Sequence, residues 1–344
     1  RLLRGAVNQA NLAAFYYDGK QKKYRVAEYM PSPEDLEAVA EENTAVLLED
    51  MAGENSEAVR AAEAESKTNT AESETGTEYV ETLAGVPTGE IYSEKALMDP
   101  DFLLEHFYIV DETTSMTKQD LNGTKLVTMD LSAKLGKEEP LVLIYHTHGS
   151  ETYKKVNGKE GSVIEVGTAL TKELENVYGI KTVHDKSVYD MVDGQLDRNA
   201  AYNFAGDSVE ATLRKNPSVK VVIDLHRDGV TGAKRLVTEI NGKPTAKIMF
   251  FNGLSRTNQN GELSHLPNPY IQDNLAFSLQ LARYAKEYYP DWFRTIYLRG
   301  YRYNLHLRPK ALLVECGAQT NTVEEEMNAM QPLADILNKV LTGA

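Results

Sequence analysis

The chain has 344 residues and a formal net charge of −14, enough length for one large domain or two ordinary ones. Its acidic balance argues against a nucleic-acid binder, because phosphate contacts need clustered Lys and Arg. The single cysteine, Cys316, excludes an intramolecular disulfide and leaves the compartment open, and no run of about 18 apolar residues offers a membrane span.

The charge is unevenly placed. Residues 34–78 carry 14 acidic and 2 basic residues, whereas 137–344 are balanced. Residues 1–52 read as an N-terminal juxtamembrane segment, partly helical, because Leu36, Val39, Val46 and Leu47 follow a Ser32-Pro33 start at helical spacing. The chain starts at Arg1 rather than Met, so a signal or anchor upstream is expected to have been removed. Residues 53–95 read as an acidic, disordered linker. Ala, Glu, Ser and Thr dominate there, and such a segment buries too little surface to offset its ordering entropy.

Order is expected to resume near Ala96. "DFLLEHFYIVD" mixes a short helix with an aromatic strand, and "KLVTMDL" alternates like a strand. "LVLIYHTH" is apolar on both faces, as in a buried strand. Val163, Val166, Leu170, Leu174 and Val177 mark one face of a helix. "IKTVHD" is a strand, "GQLDRNAAYNFAGDSVEATLRKN" a helix, "VKVVIDLHRDG" a second buried strand and "GKPTAKIMFFNG" another strand. "YIQDNLAFSLQLARYAKEYYP" is a long amphipathic helix, "TIYLRGY" a short strand, and "ALLVECG" a third buried strand. "VEEEMNAMQPLADILNKVLTG" closes the chain as a helix. The alternation predicts an α/β fold with a mostly parallel, twisted sheet covered on both faces.

Three of the buried strands end in candidate ligands: His146 to Glu151, Asp224 to Asp228, and Glu315 to Gly317. In an open parallel sheet the carboxyl ends share one edge, so these tips can meet. Two histidines and a carboxylate, with one position left for water, make a catalytic zinc set, and a further carboxylate can serve as general base. His146 and His148 are expected on one face, since an extended chain has period two. His148 and Glu151 form His-x-x-Glu, and His146, one step further inside, is expected to support the site from behind. Glu165, at the start of the next helix, rivals Glu151 as the carboxylate ligand, with Glu151 preferred. The competing explanation makes these histidines hydrogen-bonded core residues and Glu315 an ion-pair partner of Arg227 or Arg302. His106, His184, His265 and His306 receive no role, and Cys316 is read as a small buried hydrophobe facing away from Glu315.

"FYIVDETT", "LVLIYHTHGSETY", "VVIDLHRDG" and "YRYNLHLRPKALLVECGAQTNTVEE" together resemble the sporulation stage II protein P family, which belongs with the zinc-dependent N-acetylmuramoyl-L-alanine amidases. The resemblance covers about residues 96–344, which would then form a zinc amidase catalytic domain built on a cell-wall amidase-like sheet of about six strands flanked by helices. It implies Zn2+ as cofactor and peptidoglycan as substrate. The bond cut would be the amide between N-acetylmuramic acid and L-alanine, with peptide cross-links as a further target. It also implies a partner, the sporulation stage II protein D, a lytic transglycosylase. Localisation would be extracytoplasmic, at the septal wall during engulfment, through an N-terminal membrane helix missing from this chain. The resemblance puts His148 and His226 at the zinc histidines and Glu315 at the catalytic glutamate. General amidases favour Glu165 as the carboxylate ligand; relatives of protein P favour Glu151. Glu315 is expected to take a proton from the attacking water and return it to the leaving amine. Arg227 and Asn304 are assigned to substrate on polarity and position. The rival functions are a zinc carboxypeptidase acting on wall peptides and a non-catalytic wall-binding protein.

Overall fold

The structure, a computed structural model, describes residues 85–136, 138–158 and 160–343. The N-terminal segment and most of the acidic linker lie outside the described residues. Short helices α1 (Glu94–Leu97) and α2 (Pro100–Phe107) lead into β1 (Tyr108–Val110) and α3 (Gly123–Thr128). Ser93 and Asp99 cap the first two by accepting backbone N–H groups of Ala96 and Asp101. Then follow β2 (Val142–Tyr145), α4 (Val163–Asn176), β3 (Thr182–His184), a hairpin of β4 (Met191–Val192) and β5 (Gln195–Leu196), α5 (Arg198–Lys215) and β6 (Val221–Asp228). A second hairpin, β7 (Val237–Ile240) and β8 (Lys243–Ala246), precedes β9 (Ile248–Gly253) and the small ladder of β10 (Arg256–Thr257) with β11 (Gly261–Glu262). The chain ends through α6 (Ile271–Tyr288), β12 (Phe293–Arg299), a 3-10 turn at Leu305–Leu307, β13 (Lys310–Ala318), α7 (Val323–Asn328) and α8 (Met330–Thr342).

One 7-stranded sheet, in the order β1-β12-β9-β13-β6-β2-β3, carries the fold. Every pairing is parallel except β13 with β9. The sheet is therefore two parallel blocks running in opposite directions. The carboxyl ends of β2, β6 and β13 share one edge, as the sequence predicts, while those of β1, β9 and β12 lie at the other edge. Alternate side chains go to opposite faces. Val142, Ile144, Ile223, Leu225, Leu312 and Val314 pack under α4, α6 and α8. Leu143, Tyr145, Val222, Phe251 and Leu313 pack under Ala201, Ala205, Val209 and Leu213 of α5.

Three expectations change. "KLVTMDL" starts in a helix, α3, not a strand: Asn122 caps it by accepting the Lys125 N–H at 3.1 Å, and Leu126 turns fully inward. Such a cap settles a segment too short for its period to decide. The C-terminal helix is two helices. Thr322 and Glu325 form a capping box for α7, and Pro332 in the first turn of α8 breaks the run, because its ring clashes with the carbonyl four residues earlier. The ordered domain also begins before residue 96. The N–H groups of Thr88 and Gly89 donate to the Glu287 carbonyl at 3.0 and 2.8 Å, and Tyr92 meets Phe102 and Phe107 edge-on. An aromatic ring in the acidic stretch supplies burial that its composition hides.

Candidate metal centre

β2 ends at Tyr145, and the chain turns sharply into His146–Glu151. Thr147 anchors the turn: its N–H and hydroxyl donate to the two carboxylate oxygens of Asp224 at 2.8 and 2.6 Å. Ser150 ties the far side of the turn to Asp190 through its hydroxyl at 2.6 Å and its N–H at 3.1 Å. His148, Glu151 and His226 come together here, each offering one ligand atom, all within 4.8 Å of one another. Glu151 lies between the rings. Its Oε1 is 3.7 Å from His148 Nδ1 and its Oε2 is 3.7 Å from His226 Nδ1. The two imidazoles stand perpendicular, with centroids 5.0 Å apart.

Each member is held from behind. Arg198, the first residue of α5, donates to Glu151 Oε1 at 3.1 Å, and the Arg227 backbone N–H donates to Oε2 at 3.2 Å. Asp224 Oδ1 lies 2.7 Å from His226 Nε2. Burial would raise the Glu151 carboxyl, but His226, His148 and Arg227 outweigh it and hold Glu151 well below the usual carboxylate range. Burial likewise opposes protonation of His226, yet Asp224 and Glu151 raise its pKa well above the ordinary value. His148 goes the other way: burial, and then His226, lower it to about 3.

Glu315 pairs in register with His226 across β13 and β6, so both side chains share the α5 face. Its carboxyl is raised well above the usual range, first by burial, then by Asp228, Glu151 and Asp224, against the opposing pull of His226. Its Oε2 is buried without a hydrogen-bond partner. Cys316, next along, is fully buried on the opposite face, as expected.

Other expectations are corrected. His146 is not on the His148 face. The strand's alternation carries His146, with Ile144, to the α4 side, where it is fully buried, and the turn that follows takes His148 to the other face. Its Nδ1 donates to the Leu225 carbonyl at 2.7 Å. A carbonyl only accepts, so in the neutral ring Nε2 is the acceptor, and the 2.9 Å contact to His184 Nε2 is donated by His184. His184, given no role from sequence, is thus the partner of His146. Glu165 lies in the first turn of α4, capped by Ser162, and stands outside the three-residue cluster. Arg227 reaches the cluster with its backbone N–H, while its guanidinium bonds the Asp228 carbonyl at 3.4 Å. Asn304 gives its amide to the Tyr202 carbonyl at 2.8 Å, which fastens its loop to α5.

Sequence reasoning missed Arg198 and the role of Asp224. Asp224 stands two residues before His226, and that spacing on a strand was a usable signal. Nothing near Arg198 in sequence points to Glu151.

Together these features describe a mixed α/β protein whose parallel strand tips gather a His/Glu/His cluster able to hold a metal ion, beside a buried glutamate. The chain belongs to the stage II sporulation protein P family, whose family model matches residues 7–338. It is 24% identical over 223 residues to the stage II sporulation protein P of Bacillus subtilis (strain 168), a match covering 60% of this chain and 52% of that protein. The chain thus spans about half the length of the curated relative it matches. Among solved structures, it is similar to the CwlD amidase from Clostridioides difficile in complex with the GerS lipoprotein, at 14% identity and a TM-score of 0.36, covering 58% of this chain and 95% of that one. It is also similar to the N-acetylmuramoyl-L-alanine amidase AmiC2 of Nostoc punctiforme, at 13% identity and a TM-score of 0.36, covering 60% and 96%. Among the described residues no helix is long and apolar enough to cross a membrane.

Proposed function

We propose that the chain is a zinc-dependent peptidoglycan hydrolase that cleaves the N-acetylmuramoyl-L-alanine amide of septal wall during sporulation engulfment. The observation that carries this reading is the meeting of His148, Glu151 and His226 beside Glu315 on one sheet face. The donor set suits zinc: two imidazoles and one carboxylate, each offering one atom within 4.8 Å of the others. A tetrahedral ion with ligands at about 2.0–2.1 Å has edges of about 3.3 Å, so the three side chains would draw in around it.

His148, Glu151 and His226 would hold the ion, with Asp224 fixing the His226 ring. Zinc, when bound, supplies Lewis acidity at the scissile carbonyl and makes water a competent nucleophile near neutral pH. Glu315 takes the proton from the attacking water and passes it to the leaving amine of L-alanine. A carboxyl held well above its usual range suits a group that must both accept and donate near neutrality. The same arrangement would serve hydrolysis of peptide cross-links. We further propose peptidoglycan as substrate, the sporulation stage II protein D as partner and an extracytoplasmic location, in keeping with membership of the stage II sporulation protein P family.

The test is to digest purified sacculi with wild type and with Glu315→Gln and to weigh the products. Wild type is expected to release stem peptides with a free L-alanine amine. The variant is expected to bind about one zinc per chain and release none. Unchanged activity in the variant removes Glu315 from its role, and products shortened only at the peptide carboxyl end mark a carboxypeptidase instead.

A further inference from the structure

A chain of aromatic rings leads away from the metal cluster along the α5 face. The Tyr202 ring meets the His148 ring edge-on at 5.6 Å. Tyr303 meets Tyr202 at 5.4 Å, again edge-on, and Phe251 supports Tyr303 from below at 4.9 Å. Phe251 is a core residue, only 7% exposed, whereas Tyr202 and Tyr303 are partly exposed.

The backbone that presents Tyr303 is unusual. Tyr303 and Asn304 have φ of 46° and 56°, two consecutive left-handed conformations that residues with a Cβ rarely adopt and that persist only where the surroundings enforce them. The surroundings do so here. Asn304 is bonded to the Tyr202 carbonyl, and Leu305 donates its N–H to the Arg302 carbonyl at 2.8 Å. Gly206 leaves room for the Asn304 side chain, since a Cβ there would lie 3.0 Å from its Oδ1. Leu305 and Leu307 already cover the sheet at this point, so the strained pair is not needed for burial. What it achieves is the juxtaposition of Tyr303 with Tyr202.

We propose that Tyr202 and Tyr303 form a subsite for a pyranose ring of the substrate's glycan, directly beside the metal cluster. The proposal rests on the hydrolase reading above. In that reaction the lactyl carbonyl reacts at the cluster, and the sugar bearing the lactyl ether lies within one ring's length of it. The ring of Tyr202 stands at that distance from His148. Pyranose rings carry apolar C–H faces that stack on aromatic faces, with polar rims left to hydroxyls and water. A stem peptide offers carboxylates and small alkyl groups, to which an aromatic wall is poorly matched. Binding energy from the unreactive sugar would also position the scissile amide.

The test uses the full chain, zinc-loaded and zinc-stripped, with two probes: a β-1,4-linked N-acetylglucosamine tetramer and a stem peptide without sugar. Binding is read by calorimetry. Wild type is expected to bind the tetramer with or without metal. Tyr303→Leu is expected to weaken that binding about five- to tenfold, the scale of an aromatic contact, while Tyr303→Phe retains it and peptide binding is unchanged by either. If Tyr303→Leu does not fold, Tyr202→Leu in the zinc-stripped protein carries the same comparison. Wild type failing to bind the tetramer, or the Leu variant binding it as well as wild type, overturns the subsite. Sacculus digestion separates the two claims. Intact amide cleavage without tetramer binding sinks only the subsite, and tyrosine-dependent tetramer binding without cleavage sinks only the hydrolase reading.

Discussion

Gly167 on α4 gives the sharpest test of how the metal loop is supported. A Cβ at this position would lie 2.7 Å from His146 Cε1 and Nε2 and from His184 Nε2. Two rings joined by a 2.9 Å contact, one of them also bonded to Leu225, cannot both withdraw without losing a bond. Gly167→Ala would gain about 1 kcal/mol in helix propensity. Against this stand about 1–3 kcal/mol of overpacking and about 1–3 kcal/mol for a buried ring nitrogen left unpaired. The net expectation is a loss of about 1–5 kcal/mol. For a domain of this size, that corresponds to a fall in Tm of roughly 2–20 °C, read by circular dichroism at pH 7.5. His184→Ala added to Gly167→Ala should recover part of the loss, because it empties one side of the clash. Stability equal to or above wild type in Gly167→Ala, or no recovery in the double variant, would refute the account.

The same histidines set an acid limit. Burial lowers His146 to about 4 and His184 to about 3, so between pH 6.5 and 4 the unfolded chain binds protons that the folded one refuses. Their contribution is intact above pH 6.5 and is lost as pH falls, by at most about 1.4 kcal/mol per pH unit for His146 and by less for His184, which is partly exposed. The urea midpoint should drop between pH 7.5 and 5, and His184→Phe should flatten that drop. Asp224→Asn should weaken zinc binding about 10- to 100-fold in competition with a chelator, with circular dichroism unchanged. Glu326 is fully buried, and burial raises its carboxyl well above the usual range against the smaller opposing pulls of the Cys316 thiol and Arg227. Glu326→Gln should therefore cost less than about 1.5 kcal/mol in thermal unfolding. Gly317→Ala should lower stability by about 1–2 kcal/mol for its left-handed φ of 54°, and by more where the buried Glu326 carboxylate must move aside, read as a fall in Tm.

The cluster was legible in the sequence because buried strands advertise their own ends. An apolar run that stops at His148, another that stops at His226 and a third that stops at Glu315 imply one shared edge, and β2, β6 and β13 are mutually parallel neighbours. Strand direction beyond that block was not legible. Alternation of strands and helices reads the same whether β9 runs with β13 or against it, and the antiparallel pairing of Leu313 with Phe251 is a tertiary fact. His146 and His148 part for a local reason: a period of two holds only while the chain stays extended, and the bend that ties Thr147 to Asp224 swings His148 away from the face His146 keeps. Arg198 and Tyr303 act through neighbours 47 and about 100 residues away, a separation at which spacing carries no information.

In the proposed hydrolase the two glutamates take different tasks. His226 acts on both, yet their pKa values move in opposite directions. Glu151 accepts from Arg198 and from a backbone N–H, and those donors keep it ionised, as a metal ligand must be. Glu315 faces Asp228, Glu151 and Asp224 with a buried oxygen unpaired, and burial together with those like charges raises its affinity for a proton, as a base that must hold one between water and leaving amine requires. Environments that push paired carboxyls apart are the physical signature of an acid/base assignment. In the proposed reaction, exchanging the roles would leave a protonated carboxyl facing Arg198 and an ionised one with no donor, which is why we propose Glu151 for the ion and Glu315 for proton transfer.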